Sequence, residues 1–471
     1  MKRLLITSAL MCTLASAYAQ KAELDAAQKA FDKKDYQTAY TQAQKAQSLL
    51  KADEASKPDQ VAKSMYLSGM SKLEMAGGDI PQIKQALAEL NDLAAYEKGK
   101  LYSARNEQTK KTAYFASQQA MDAAVASGKY SKPKAADRTA VYTPQMVTSV
   151  GEHGNSYYQD GINAFNSRDY KKAADLFELT YEAQKVFAPK ADTALLSNAA
   201  ISLLQARDFN GVKTYYERLL DMGYTGIETV YEATDALTGE RRVYGSKKEM
   251  DAQVKLKLAS DPTETVEPNK QPEIFLTLIQ LYYQDEQYDK ALEYCHKALA
   301  KYPDNKDIFL LEGQIYYQLG QMDKFLENLL AAAKVFPDDA EIQYNLGFVY
   351  GEKKDNAKSI EHYKKAIALD AKYVNAYINL ASVMLEEEQE INAEIDKLPF
   401  SLNAAQKKQY DELLARKKSL YEEVVALMET AHKEVPDNLN VVRVLRNVYA
   451  GLNDQANLEK YEALEKQMME M

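Results

Sequence analysis

Residues able to carry bond-making chemistry are few and scattered in this 471-residue chain. The four histidines, His153, His296, His362 and His432, stand far apart, and no pair has the spacing of an H-E-x-x-H metal site. Cys295 and His296 are neighbours, so their side chains leave a helix in different directions. The acidic runs Glu386–Glu388 and Glu422-Glu423 fall in helical patterns, where charge is ordinarily a solvated face. No G-x-S-x-G elbow, Gly-rich phosphate loop or G-x-G-x-x-G occurs. Nothing nominates a catalytic residue, a metal or a cofactor, so the chain is expected not to be an enzyme.

The informative pattern is periodic. In 272–305, Phe275, Leu278, Ile279 and Tyr282 recur at i, i+3, i+4, i+7, one face of an amphipathic helix. After a polar break at Gln284–Gln287, the residues Tyr288, Ala291, Leu292, Cys295 and Ala298 repeat that spacing, and Tyr302-Pro303 stops it. The pair is a helical hairpin with two apolar faces, which it cannot bury alone. Residues 306–339 repeat it with Phe309, Gly313, Tyr316, Ala332 and Pro337; residues 340–373 do so with Leu346, Gly347, Tyr350, Tyr363 and Ala366. A 34-residue self-similarity marks a stacked-repeat architecture.

These units resemble the tetratricopeptide repeat (TPR), whose marks are a large residue at position 4, Leu-Gly at 7–8, Tyr at 11, Ala at 20 and 27, an aromatic at 24 and Pro at 32. Departures are Glu312 at position 7, Phe325 and Ser359 at position 20, and Ala371 where Pro is usual. The resemblance implies an all-α, TPR-like α-solenoid of helical hairpins, with first helices lining a concave groove. The groove positions here are Gln280, Tyr283, Gln284, Gln314, Tyr317, Gln318, Tyr344, Asn345, Phe348 and Asn379. Members that clamp a C-terminal carboxylate use groove cations, but position 5 here holds Leu276, Leu310, Tyr344 and Ile378. That clamp is expected to be absent, since a buried carboxylate would go uncompensated. Two readings of the Tyr/Gln/Asn surface stand: contact with a peptide segment, or packing between adjacent repeats.

Elsewhere the organisation is less regular. Residues 1–19 read as a signal peptide, with Lys2-Arg3, an apolar stretch and Ala17-Tyr18-Ala19 before Gln20. Met11 before Cys12 is a poor lipid-attachment context, so ordinary cleavage is expected. Cleavage removes Lys2 and Arg3 and no acid, taking the formal charge from −10 to −12. Such a surface disfavours nucleic acid and anionic membranes. Cys295 alone would remain, excluding an intramolecular disulfide.

Residues 20–126 read as a helical region with degenerate TPR-like hairpins, including helices at 61–76, 82–95 and 103–126. Residues 127–155 read as a linker and 156–224 as further hairpins. Residues 225–271 read as a small β-hairpin-plus-helix insertion: β-prone runs at Thr229 and Arg241 flank a Thr238-Gly239 turn, and Ser246 with Glu249 opens a helix to about Leu258. Residues 272–471 read as a C-terminal TPR array whose unit at 374–438 is an extended hairpin.

The expected function is a non-enzymatic exported scaffold in the periplasm or on the periplasmic face of the outer membrane. It would bind protein or peptide partners for assembly, secretion or envelope maintenance, without nucleic acid and without an integral membrane segment after cleavage. The rivals are a glycan- or nutrient-binding envelope protein, disfavoured by the absence of Trp, and an enzyme carried by 225–271, for which no residue is nominated.

Overall fold

The computed structural model describes residues 19–51, 57–188 and 190–470. The expected signal peptide lies outside them apart from Ala19. The chain divides into two compact units, Met1–Pro268 and Asn269–Met471. Each is built mainly from antiparallel helical hairpins, as the solenoid reading expects, and the first adds two three-stranded sheets.

In the first unit, α1 (residues 19–32) pairs with α2 (Tyr36–Lys51), and α3 (Pro58–Met75) with α4 (Ile80–Lys98). Ala27, Ala39, Ala43 and Ala46 are wholly buried; their small side chains let the first pair approach closely. The next stretch corrects two expectations. The region 103–126, expected as helix, and 127–155, expected as linker, hold β1 (Lys100–Asn106), β2 (Thr112–Phe115), α5 (Gln118–Ala126), β3 (Tyr130–Asp137) and the start of α6 (Thr143–Asn166). Alanine favours helix, but here Ala104 and Ala113 are buried in the sheet beside Met121 of α5, so tertiary burial overrides propensity.

The chain continues through α7 (Tyr170–Phe187), α8 (Ala194–Gln205) and α9 (Phe209–Asp221) to a second sheet element. There β4 (Thr229–Asp235) and β5 (Arg241–Tyr244) form the expected hairpin, with Tyr231 opposite Tyr244. Ser246 accepts from the Glu249 N–H and caps α10 (Lys247–Lys255). The helix ends before Leu258 because Lys257 turns left-handed (φ 59°), and a third strand not anticipated, β6 (Ala259–Val266), pairs with β4.

The two sheet elements are copies. Their strand orders are β2-β1-β3 and β5-β4-β6, and their residues correspond without a gap at an offset of 129 (Tyr102 to Tyr231). Tyr102/Tyr231, Ala104/Ala233, Ser117/Ser246, Met121/Met250, Val125/Val254 and Pro133/Pro262 are identical pairs. Both have a register irregularity at the same place, Ser103/Arg105 and Glu232/Thr234. Both have a left-handed residue before the proline, Lys132 (φ 53°) and Asp261 (φ 49°). The correspondence reaches back to the helix caps Asp79 and Asp208, which accept from the Gln82 and Gly211 N–H groups.

Glu97, near the end of α4, closes the base of the first sheet element. It accepts from the N–H groups of Val141, Tyr142 and Thr143 (3.0, 3.0 and 2.7 Å) and from the Thr143 hydroxyl (2.7 Å). The Tyr142 and Thr143 N–H groups are donors that an α-helix start leaves unpaired, and Tyr142 supplies no side-chain cap of its own.

In the second unit the period becomes geometry. The first helices of the three repeats are α11 (Gln271–Gln284), α13 (Lys306–Gln318) and α15 (Ala340–Glu352), and their returns are α12 (Tyr288–Lys301), α14 (Met322–Val335) and α16 (Asn356–Leu369). Asn305 and Asp339, 34 residues apart, cap α13 and α15 by accepting from Ile308 N–H and Ile342 N–H. Gly347 lets α16 sit against α15: a Cβ there would lie 2.7 Å from the Tyr363 ring. At position 7, where Leu is usual, buried Glu312 accepts from Asn328 (2.7 Å) and lies 2.9 Å from His296 Nε2. This polar network replaces an apolar contact. Cys295 is buried, and burial, then the Glu312 charge, pushes its thiol well above the ordinary range.

The extended hairpin pairs α17 (Val374–Asp396) with α18 (Ala404–Glu434), which Asn403 and Gln406 open with a capping box. Ile391, Leu413 and Leu420 are buried along its seam, and Arg416–Glu387 (2.6 Å) and Lys417–Glu388 (2.9 Å) flank it. A last pair, α19 (Leu439–Gly451) and α20 (Gln455–Glu470), follows, with Tyr461 wholly buried against Tyr449.

Candidate binding groove of the second unit

Helices α11, α13 and α15 present one face each to a groove of ≈ 610 Å³. A first helix has two jobs: one side packs on its return helix and on the next repeat, leaving the opposite side for solvent or a ligand. Thus Ile308, Phe309 and Ile315 of α13 are buried, while Asp307, Leu310, Leu311, Gln314 and Tyr317 face the groove.

Six of the ten expected groove residues line it: Gln280, Gln314, Tyr317, Tyr344, Asn345 and Phe348. The other four lie outside that lining. Tyr283 accepts from Gln314 Nε2 (3.3 Å) and stands edge-on to Tyr288. Gln284 and Gln318 are exposed residues at the C-terminal ends of α11 and α13. Asn379 donates to the hydroxyls of Tyr344 (3.0 Å) and Tyr363 (3.4 Å), which ties adjacent repeats together. Asn379 is thus committed to packing between repeats, whereas Tyr317 is 46% exposed.

The aromatic centre is an edge-to-face pair, Tyr317 and Phe348, with ring centroids 5.6 Å apart. Tyr317 also touches the Phe325 ring at 6.1 Å. Leu276 and Leu310, at the position-5 sites of the groove, together with Leu311 and Phe325, which were not expected there, give it an apolar part. The signal for Phe325 was present in the sequence: a large ring at position 20, where Ala is usual, fits because Gly313 leaves room for it, a Cβ there falling 2.7 Å from the ring.

Electrostatically the groove is one-sided. Its lining includes Asp307 and Glu341 and has no Lys, Arg or His. Lys306 lies beside it and is bound to Asp339 (3.0 Å) and Glu341 (3.4 Å), so it is not available to an incoming anion. Its ammonium is held above the ordinary lysine range, chiefly by the Asp339 hydrogen bond. The groove can offer hydrogen bonds from Gln280, Gln314 and Asn345, contact with aromatic rings, and attraction for a cation.

Among the described residues no helix is long and apolar enough to cross a membrane. Two tetratricopeptide-repeat family models match the chain, over residues 270–346 and 340–373. Among solved structures it is similar to the crystal structure of MamA protein at 18% identity, covering 43% of this chain and 93% of that one, with a TM-score of 0.31. A second is YrrB, described as a TPR protein with an unusual peptide-binding site, at 15% identity over 50% of this chain and 96% of that one, TM-score 0.30. A third is MamA from Desulfovibrio magneticus RS-1, at 17% identity over 48% and 96%, TM-score 0.28. No curated protein matches the chain.

Proposed function

From a chain that carries tetratricopeptide repeats over residues 270–373, we propose a non-enzymatic scaffold that holds an extended segment of a protein partner in the groove of α11, α13 and α15. The observation that carries this is the half-open Tyr317–Phe348 pair set over an apolar floor and ringed by amide side chains. Aromatic surface with amide donors is what a polypeptide backbone and its apolar side chains require. The partner segment is neutral or basic at this point, because a carboxylate would meet Asp307 and Glu341 with no cation in the lining. The leader-like residues 1–19 support export to the periplasm or the periplasmic face of the outer membrane, with a role in envelope assembly, secretion or maintenance.

Immobilised full-length protein and its Tyr317→Ser/Phe348→Ser variant test the reading on envelope extract. The wild type is expected to retain a defined partner, and the variant to lose at least about tenfold of it, roughly 1.4 kcal/mol, with unchanged helical circular dichroism. Equal retention by both, or by neither, overturns the proposal.

A further inference from the structure

The first sheet element carries something its copy lacks. The two share a core at equivalent positions: Ala104 and Met121, with half-buried Phe115, in one, and Ala233, Met250 and Tyr244 in the other. Their charge has diverged. Residues 100–137 hold seven cations and three acids, net +4; residues 229–266 hold six and seven, net −1. The first is a basic island in a chain whose formal charge is −10.

Strand pairing says where that charge points. Ser103 lies opposite Tyr114 and Lys134, and Arg105 opposite Thr112 and Ser131. Directly paired residues share a face, so Arg105, Tyr114 and Lys134 project away from the side on which Ala104 and Met121 are buried. The ion pairs of this element are Lys100–Asp137 and Lys110–Glu107, both 2.8 Å. They leave Arg105, Lys111, Lys129, Lys132 and Lys134 without a carboxylate at salt-bridge distance among the described residues. In the second element the corresponding face is closed on itself: Arg241 donates to the Asp261 carbonyl (2.7 Å), to Glu232 (3.5 Å) and to Thr263.

We propose that the open face of the first sheet docks an acidic polypeptide segment. Unpaired cations on an ordered face give an acidic partner charge complementarity that the rest of this acidic chain denies it. Three strands at about 4.8 Å spacing make a face roughly 10 Å across, room for one extended segment. The segment does not add a strand beside β3, which carries Pro133, without an N–H, directly after the left-handed Lys132. Tyr114, between Arg105 and Lys134 in the register, supplies an apolar contact.

The gap-free correspondence provides the test. In full-length protein, residues 100–137 are replaced by the sequence of 229–266, which preserves length and register. Binding of a fluorescein-labelled glutamate-rich peptide is measured by anisotropy at two salt concentrations. The wild type is expected to bind, more weakly at the higher salt, and the exchanged chain to bind at least about tenfold more weakly. The Arg105→Glu/Lys134→Glu variant leaves every core residue in place and is expected to lose binding likewise, which keeps the proposal testable if the exchanged chain does not fold. Equal binding by these variants, absence of binding by the wild type, or binding only to phosphatidylglycerol vesicles overturns it.

Discussion

Replacing Glu97 with alanine is expected to loosen the first turn of α6 and the base of the first sheet element by about 3 kcal/mol. The carboxylate accepts four hydrogen bonds and is 3% exposed. Removing it strands three backbone N–H groups and a hydroxyl, each costing on the order of 1 kcal/mol when buried without a partner, and water reaches the one on exposed Val141, which brings the total to about 3 kcal/mol. Glu97→Gln keeps an acceptor but loses the charge that suits a helix N-terminus, so it is expected to cost about half as much. The pH dependence has a definite sign. Burial alone would raise the Glu97 pKa, but the bonds from Thr143, Tyr142 and Val141 outweigh it and hold the carboxyl below its ordinary value of 4.5. A depressed folded-state pKa stabilises above the unfolded value, and that stability is lost as pH falls through the lower folded one. Hydrogen exchange of residues 139–150 is the measurement: the gap between wild type and Glu97→Gln should be full at neutral pH and shrink below about pH 4.5. A gap that widens on acidification would contradict this assignment.

Gly347→Leu is expected to be more damaging still. A Cβ at Gly347 would lie 2.7, 2.8 and 2.9 Å from three carbons of the Tyr363 ring. That ring cannot retreat cheaply. It is 2% exposed, its hydroxyl accepts from Asn379, and Tyr344 packs against it at 5.7 Å. Ser359 also donates to the Gly347 carbonyl at 2.7 Å, which fixes the helix separation. Overpacking of this kind costs about 1–3 kcal/mol for a modest addition, so alanine is expected near the top of that range and leucine beyond it. Because Tyr344, Asn345 and Phe348 stand on the same helix, groove binding should fall together with the thermal midpoint. Gly151→Ala is the control. Nothing lies within 4 Å of a Cβ there, so helix propensity should make the change neutral or stabilising by up to about 1 kcal/mol.

How much was legible in the sequence follows from the separation of the residues involved. The repeats at 272–373 were readable because each hairpin is local and recurs: α12, α14 and α16 begin at Tyr288, Met322 and Asn356, 34 residues apart. The first sheet element was not readable by propensity. Its alanines suggest a helix, and its strands are short and interrupted at Ser103/Arg105. A signal was present nonetheless, since comparing the chain with itself at an offset of 129 aligns 100–137 with the stretch whose β-hairpin was recognised. Glu97 could not have been foreseen, because its partners lie 44 to 46 residues away and the bonds exist only once both ends of the sheet element meet. The groove was half legible. Repeat position told which side of a helix is free, but not that Asn379 is spent on two tyrosines or that Phe325 reaches the lining past Gly313.

A partner held in the groove must touch α13 on its exposed groove face and leave the return helices untouched. Site-specific photo-crosslinking compares a probe at Gln314, on the exposed groove face of α13, with one at Lys297, on the exposed face of the return helix α12. In intact cells a discrete protein adduct is expected from Gln314, lost in the Tyr317→Ser/Phe348→Ser background, and none of that mass from Lys297. Adducts of equal yield from both positions, or an adduct from Gln314 that survives loss of the two rings, would contradict it.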